Sequence, residues 1–343
     1  MSKNSRELVR RTLEFSAPER IPRQIWLLPW AENKYPQELK QIQKRFPDDL
    51  VSAPALYTRP LQVRGGKYTR GVYVDEWGCT FSNPQEGIIG IVHKPLVGDW
   101  QGLDTFEPPE DMLYVDEDGI NRFCRDTDQF VLAGHVVRPF ERLQFLRTME
   151  QALIDLMEQP SELFELLERM HAFYCKEVEV WAKTEVDAIA LMDDWGTQQA
   201  LLLHPDIFRQ VFKPMYRDYV EIARSYGKYV FMHSDGHILD IIPDLIEVGV
   251  DSLNAQIFCM GLEELGRQFK GRITFWGEID RQYLLSQGSQ AEIEAAVQSV
   301  WQHLYAPGGL IAQCEFGLEA RPRNIQAVFA TFDKLSSSQG GND

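Results

Sequence analysis

The sequence has no apolar run that approaches the roughly 20 residues of a membrane-spanning helix. Its opening, MSKNSRELVRRTLEFSAPER, also lacks the apolar segment of a secretory signal peptide. The five cysteines are an odd number and include no Cys-x-x-Cys pair, which argues against a disulfide framework. We therefore expect a soluble, cytoplasmic protein in a reducing compartment.

Positive charge is scarce relative to negative charge. The chain has 35 basic and 51 acidic residues, a formal net charge of −16. Such an excess repels nucleic acid and anionic membrane surfaces. We expect a small-molecule substrate, with neither nucleic acid nor a membrane as a partner.

Apolar runs of strand length alternate with longer amphipathic stretches, a rhythm typical of a parallel α/β sheet. Gly227, Gly249 and Gly271 stand where preceding helices would end and need a positive φ. The even spacing predicts one (β/α)₈ TIM barrel over residues 1–335, with an N-terminal helix at 5–15 and a disordered tail at 336–343. The expected barrel strands are 23–28, 71–75, 130–134, 186–192, 229–233, 251–256, 273–277 and 310–314.

Polar residues follow most of these strands, at the end of a barrel where working residues lie. His233 and Asp235 are two positions apart, so they should share a face, and Cys314 would reach the same mouth from the final strand. With Glu278 between them, this imidazole, carboxylate and thiolate form a set that zinc accepts. Structural roles are the alternative: a His–Asp pair that orders a loop, Cys314 as a core residue, and Asp193 and Asp194 as helix caps.

Acids and tryptophans recur together at these strand ends. Six acids would repel one another unless a cation or protons intervened, namely Asp75, Glu76, Asp193, Asp194, Asp235 and Glu278. Trp77, Trp195 and Trp276 each stand beside one of these acids. They would line the mouth for a flat or apolar ligand, or else pack within the barrel.

Several segments, in order, resemble the uroporphyrinogen decarboxylase superfamily along almost the whole chain. They are APERIPR, VDEWG, DDWGTQQALLLHP, FMHSDGHILDIIPDLIEVGVDSLNAQ, WGEIDRQ and AQCEFGLEARPRNI. The decarboxylases of this superfamily hold their substrate's carboxylates with arginines after the first strand, where this chain has Pro29 and Asn33. Of their functional residues only the aspartate remains, as Asp75, and an acidic mouth would oppose a substrate with many carboxylates.

The resemblance to the cobalamin-linked methyltransferases of the superfamily is closer at the metal site. Those enzymes bind zinc through a His-x-Cys pair and a distant cysteine, and His233 and Cys314 match while Asp235 replaces the middle cysteine. Oxygen in place of sulfur leaves a harder metal, which suits a methyl ether better than a thiol. The implied function is zinc-dependent transfer of a methyl group between a small methylated compound and a corrinoid protein or thiol.

The resemblance and the strand ends together assign three sets of residues. The expected metal ligands are His233, Asp235 and Cys314, and the expected catalytic residues are Asp75, Asp193 and Glu278. A decarboxylase-like lyase acting on a tetrapyrrole, and a non-enzymatic corrinoid or tetrapyrrole carrier, remain as alternatives. The expected substrate-binding residues are Trp30, Glu76, Trp77, Gln198, Asn254, Gln256 and Trp276.

Overall fold

The computed structural model describes residues 4–339, without the side chains of residues 93, 338 and 339. Within this range eight parallel strands form a nearly closed barrel in the order β1-β11-β10-β9-β8-β7-β6-β2, and β3, β4 and β5 form a separate antiparallel sheet. The strands are β1 Arg23–Leu27, β2 Leu50–Ser52, β3 Gly71–Val74, β4 Thr80–Asn83, β5 Ile91–Lys94, β6 Phe130–Val137, β7 Ala188–Met192, β8 Tyr229–Ser234, β9 Ser252–Ala255, β10 Thr274–Trp276 and β11 Leu310–Phe316. The predicted TIM-barrel fold is confirmed.

Helices surround the barrel and alternate with its strands. Gly227, Gly249 and Gly271 have φ values of +70°, +100° and +77°, as a residue after a helix requires. The helices are α1 Ser5–Leu13, α2 Pro29–Lys34, α3 Pro36–Arg45, α4 Glu117–Asp126, α5 Pro139–Arg147, α6 Met149–Glu158, α7 Ser161–Lys183, α8 Pro205–Ile207, α9 Lys213–Ser225, α10 Ile242–Val248, α11 Ile257–Met260, α12 Leu262–Phe269, α13 Gln290–Leu304 and α14 Pro322–Gln339.

The second barrel strand is not the one that the sequence predicts. Residues 71–74 pair antiparallel with β4, and a turn over Asp75–Gly78 joins the two strands. The barrel position belongs to β2, which has only three residues and pairs with β6. It completes the barrel beside β1, where the Asp49 N–H donates to the Arg23 carbonyl at 2.8 Å and the Ile25 N–H donates to the Asp48 carboxylate at 2.8 Å.

Side chains along each barrel strand point alternately inward and outward, so the protein has two apolar cores. One lies inside the barrel and includes Phe231, Trp276 and Ile311 together with Val9 and Leu13 of α1. Asn4 starts that helix, because its side chain accepts hydrogen bonds from the backbone N–H groups of residues 6 and 7. The larger core lies between strands and helices. The inward-facing strand residues that lie beyond this inner core, toward the carboxyl ends of the strands, therefore line the mouth of the barrel.

The C-terminal segment was expected to be a disordered tail from residue 336. Helix α14 continues through Gln339, and residues 340–343 lie outside the described residues. That residues 1–335 form one domain stays a prediction. Among the described helices, none combines the length and apolar character needed to cross a membrane.

Candidate functional site

Three potential metal ligands converge at the carboxyl ends of β7 and β8. Asp194, His233 and Asp235 each offer a ligand atom, and these atoms all lie within 4.8 Å of one another. The Nε2 atom of His233 is 3.4 Å from Oδ1 of Asp194 and 3.7 Å from Oδ1 of Asp235. The Asp235 Oδ1 atom is buried and has no hydrogen-bond partner among the described residues. The three side chains thus form a pocket of nitrogen and oxygen donors.

Two glycines allow the loops that carry these ligands to pack closely. Gly236 has a φ of +86°, and a Cβ atom placed on it would lie 2.2 Å from the backbone of Gly196. The loops are also joined by backbone hydrogen bonds from Asp193 N–H to the His233 carbonyl, from Gly196 N–H to the Asp235 carbonyl and from His237 N–H to the Thr197 carbonyl. The Asp-Asp-Trp-Gly and His-Ser-Asp-Gly segments therefore fix each other's position.

Asn254 orients the imidazole of His233. Its Oδ1 atom is 2.6 Å from His233 Nδ1, and its Nδ2 group donates to the Trp276 carbonyl. Because Nδ2 is the donor end of the amide, Oδ1 accepts, so Nδ1 of His233 carries the proton and Nε2 faces the acids. Burial by itself would lower the pKa of His233, but the hydrogen bond and charge of Asp194 and the charge of Asp235 raise it to about 9.

Arg281 lies close to three carboxylates, on the side of Asp235 that faces away from His233. Its guanidinium contacts Asp235, lies 3.2 Å from Oε2 of Glu315 and lies 3.6 Å from Oε1 of Glu278. Glu278 is 3% exposed, and neither of its carboxylate oxygens has a hydrogen-bond partner among the described residues. Burial raises the pKa of Glu278 to about 7 against the opposing charge of Arg281. Glu278 is therefore able to hold a proton near neutral pH.

An open cleft of about 500 Å³ lies over the cluster. Asp194, Asp235 and Arg281 form part of its wall. Gln198 and Gln256 line it as well, and Gln198 Nε2 donates to Gln256 Oε1 at 3.1 Å. Both glutamines thus lie where a substrate above the cluster would contact them.

Cys314 does not join this cluster, contrary to its predicted role as a metal ligand. Its side chain is fully buried in the core between the strands and the helices. Ile311 of the same strand belongs to the inner core, so the period of two turns Gln313 and Glu315 inward and Cys314 outward. Burial raises the pKa of the Cys314 thiol well above its usual range. Because its side chain lies on the helix-facing side of β11, Cys314 is not among the converging ligands.

The acidic segment at 75–77 forms the turn between β3 and β4. The Asp75 carboxylate accepts hydrogen bonds from the backbone N–H groups of Trp77 and Cys79 and forms a buried ion pair with Arg142. Glu76 lies 3.6 Å from the same guanidinium. Trp77 packs in the outer core against Phe173 and Tyr174, at centroid distances of 5.0 and 5.4 Å. None of the three predicted residues, Asp75, Glu76 and Trp77, lines the cleft.

Asp193 caps a helix instead of facing the cleft. Its carboxylate accepts from the N–H groups of Phe140 and Glu141 at the start of α5 and from the hydroxyl of Tyr216. Burial raises its pKa well above the usual range. The predicted alternative was that Asp193 and Asp194 cap the helix that follows them. Asp193 instead caps α5, which precedes it in the chain, and Asp194 belongs to the cluster of potential metal ligands.

The tryptophans do not form the expected wall. Trp195 is buried and stacked on Phe140 at 4.0 Å, and Trp276 lies inside the barrel, 5.1 Å from Trp26. Trp30 lies on α2 with Lys34 over its ring at 4.4 Å. These rings stabilise the packing beneath and around the mouth. They do not line the cleft, so they are not placed to contact a flat ligand there.

The sequence prediction also missed Arg281. The six acids that were expected to repel one another have separate partners: Asp75 and Glu76 lie beside Arg142, Asp193 caps α5, Asp194 lies beside His233, and Asp235 and Glu278 share Arg281. The signal was present, since Arg281 follows Glu278 by three positions in WGEIDRQ. Its importance becomes visible only when the fold brings it to Asp235.

The donor set fits a divalent cation. One neutral imidazole and two carboxylates are ligands that zinc and other divalent transition ions accept, and an oriented histidine with its second nitrogen hydrogen-bonded is a common feature of such sites. In the absence of an ion, the protonated imidazole supplies the positive charge between the two acids. A metal would therefore displace a proton from His233 on binding.

Comparison with known proteins places the chain in a family. The solved structure of a methyltransferase from Methanosarcina mazei superposes with a TM-score of 0.68 at 15% identity, covering 96% of this chain and 98% of that one. A B12-independent methionine synthase from Shewanella sp. W3-18-1 gives a TM-score of 0.47 at 11% identity, over 93% of this chain and 96% of that one. No curated protein matches the chain by sequence. The family model described as uroporphyrinogen decarboxylase (URO-D) matches residues 72–335, more than half of the chain, and the chain therefore belongs to that family.

Proposed function

We propose that the protein is a metal-dependent methyltransferase that binds a divalent ion, zinc in the first instance, through Asp194, His233 and Asp235. The observation that carries the proposal is the convergence of these three side chains, with ligand atoms within 4.8 Å, at the carboxyl end of the barrel. The fixed orientation of His233 by Asn254 supports it, because a preset imidazole lowers the cost of binding an ion.

The bound ion would act as a Lewis acid beside the cleft. The residues around the ion have different roles. Asp194 and Asp235 supply the negative charge that holds the ion, and Asn254 keeps Nε2 of His233 turned toward them. Glu278, with a pKa of about 7, holds a proton that it can give to an oxygen atom as a methyl group leaves it.

The proposed substrate is a small methylated compound, with a methyl ether preferred to a thiol acceptor. The ligand set contains nitrogen and oxygen but no sulfur, which favours a hard Lewis acid that acts on oxygen. A corrinoid carried by a separate protein is the proposed methyl acceptor. The overall likeness to the Methanosarcina mazei methyltransferase agrees with this proposal at the level of fold.

The residue on which the lyase alternative depends is already engaged within the protein. Asp75 was its proposed contact to a tetrapyrrole, but both oxygens of that carboxylate are engaged, one by two backbone N–H groups and the other by Arg142. The carrier alternative required a tryptophan-lined mouth, and Trp77 and Trp195 are buried elsewhere. We therefore favour methyl transfer.

Metal analysis of purified protein tests the proposal. The protein is stripped with a chelator, reloaded with zinc and analysed by mass spectrometry for bound metal. We expect about one ion per chain, and a loss of more than tenfold in affinity for H233Q and D235N, since each removes one of three protein ligands. H171Q and D218N are matched controls, because that His–Asp pair, 2.9 Å apart, joins α7 and α9 outside the cluster.

A catalytic assay follows the metal test. The zinc-loaded protein is supplied with free cob(I)alamin and a panel of methyl ethers, and methylcobalamin is followed by its visible absorbance. Turnover that needs both zinc and His233 would support the proposal. Zinc content that is unchanged in both H233Q and D235N, or turnover that persists in the chelator, would remove it.

A further inference from the structure

Several amide side chains line the cleft over the cluster of potential metal ligands. Gln144, Gln198, Gln256 and Gln282 all border it. In the described part of the chain, one hydrogen bond joins these side chains, from Gln198 Nε2 to Gln256 Oε1. Within residues 4–339, the remaining amide atoms of these four side chains have no other protein hydrogen-bond partner, so they are free to donate to and accept from a ligand.

The positive charges around the cleft are already committed. Arg281 is shared by Asp235, Glu278 and Glu315. Arg138 pairs with Glu141 at 2.6 Å, and Glu141 is the other acid in the cleft wall. A divalent ion would be balanced by Asp194 and Asp235. Among the described residues that border the cleft, no fixed cation is thus left unpaired to hold a carboxylate or phosphate group of a substrate.

The lining of the cleft also includes apolar side chains. Phe145, Met149 and Leu202 border the cleft, and none of the chain's eight tryptophans lines it. A ligand with small apolar faces between its polar groups would match this mixture. A large aromatic ligand would leave the glutamine amides without partners, which costs binding energy.

We propose that this cleft binds a neutral, hydroxyl-rich methyl ether, such as an O-methylated sugar or cyclitol, with the glutamines forming hydrogen bonds to its hydroxyl groups. The binding preference stands on the cleft itself, while the role of the ether as a methyl donor rests on the proposed function. Hydroxyl groups both donate and accept, as the free amide ends require. A neutral ligand also avoids the repulsion that the acids around the cluster would impose on an anion.

Three probes separate the relevant properties. Methyl α-D-glucopyranoside is neutral and hydroxyl-rich, methyl α-D-glucuronide carries a carboxylate in place of its hydroxymethyl group, and anisole is a neutral methyl ether without hydroxyls. Binding to the full-length, zinc-loaded protein is titrated by ligand-observed NMR. We expect the glucoside to bind at least about tenfold more tightly than either other probe, the equivalent of one or two hydrogen bonds or one unfavourable charge.

Substitution of the paired glutamines locates the site. The double variant Q198L/Q256L should weaken glucoside binding by about tenfold. Q199L is the matched control, because Gln199 lies on the same loop, is exposed and does not border the cleft, and it should leave the affinity within about twofold. Circular dichroism and zinc content show whether each variant is folded and loaded.

The outcomes distinguish this inference from the proposed function. Selective glucoside binding that depends on Gln198 and Gln256 supports the inference even in a protein that transfers no methyl group. Equal or tighter binding of the glucuronide or anisole, no binding of the glucoside, or an unchanged affinity in Q198L/Q256L overturns it, even when zinc binds as proposed.

Discussion

His233 donates its Nδ1–H to Oδ1 of Asn254 across 2.6 Å, and this contact determines which nitrogen of the imidazole faces the acids. The amide of Asn254 cannot turn over without losing its own hydrogen bond to the Trp276 carbonyl. Asn254 is therefore a positioning residue beneath the proposed metal site, not the substrate contact that the sequence suggested.

Removal of that acceptor should weaken metal binding without abolishing the fold. N254L leaves Nδ1–H of His233 unpaired and the ring free to rotate, and we expect the affinity for zinc to fall by about 10- to 100-fold. N254D retains an acceptor oxygen and should recover most of the loss. Competition titration against a fluorescent zinc chelator measures both. Equal affinities in wild type and N254L would contradict the positioning role.

Zinc affinity should rise steeply with pH. The pKa of His233 in the metal-free protein is about 9, so below that pH an ion must displace a proton from the imidazole. The apparent affinity should fall about tenfold for each pH unit below 9, after correction for the solution chemistry of zinc. Calorimetric titration in buffers of different ionisation enthalpy measures the proton released. A pH-independent affinity with no proton release would contradict this assignment.

The same shift has a consequence for the stability of the metal-free protein. Because the folded-state pKa of about 9 exceeds the ordinary value of 6.5, protonated His233 stabilises the fold fully below pH 6.5, and this contribution is lost as pH rises through 9. Between pH 7 and 9 the free energy of unfolding should fall by about 2 kcal/mol. Glu278, with a pKa of about 7, acts mainly below this window. Urea denaturation in a chelator should show a flatter profile for H233Q.

Cys314 should contribute to packing in the core and not to metal binding. C314A removes a buried sulfur from the core between β11 and the helices, and we expect a loss of about 1 kcal/mol of stability. Zinc content and affinity should be unchanged, because the side chain points away from His233. A large drop in zinc affinity in folded C314A would place the thiol at the site after all.

Asp75 should behave as a structural residue. D75N leaves the buried guanidinium of Arg142 with Glu76, at 3.6 Å, as its neighbouring carboxylate and should destabilise the protein by about 3 kcal/mol. E76Q removes the more distant and more exposed partner and should cost about 1 kcal/mol or less. Chemical denaturation measures both losses. Zinc binding at the ordinary level in both variants is the expected result, and a selective loss of metal in D75N would contradict it.

Much of the barrel could be predicted from local sequence. The expected strands at 130–134 and 229–233 correspond to Phe130–Val137 and Tyr229–Ser234, because a buried parallel strand is a continuous apolar run. The second barrel strand was missed because Leu50–Ser52 is too short to stand out from its polar surroundings. The longer β3 took its place in the prediction, since a strand's pairing partner is not encoded in its own residues.

The site was predicted less completely, because it depends on the direction in which side chains point and on contacts between distant elements. In β11 the alternation of Gln313 and Glu315 with Cys314 and Phe316 indicates which face turns inward, and the position of Cys314 at the end of the expected strand obscured it. Asp193 and Asp194 are adjacent, and only the position of α5 decides which of them caps that helix and which joins His233. Such contacts depend on elements far apart in the sequence.

Anomalous scattering at the zinc absorption edge, from crystals grown with zinc, tests the central claim most directly. The account predicts an anomalous peak about 2.0–2.2 Å from Nε2 of His233 and from a carboxylate oxygen of Asp194 and of Asp235. A fully occupied peak bound elsewhere, or no peak at the cluster in crystals that contain excess zinc, would contradict it.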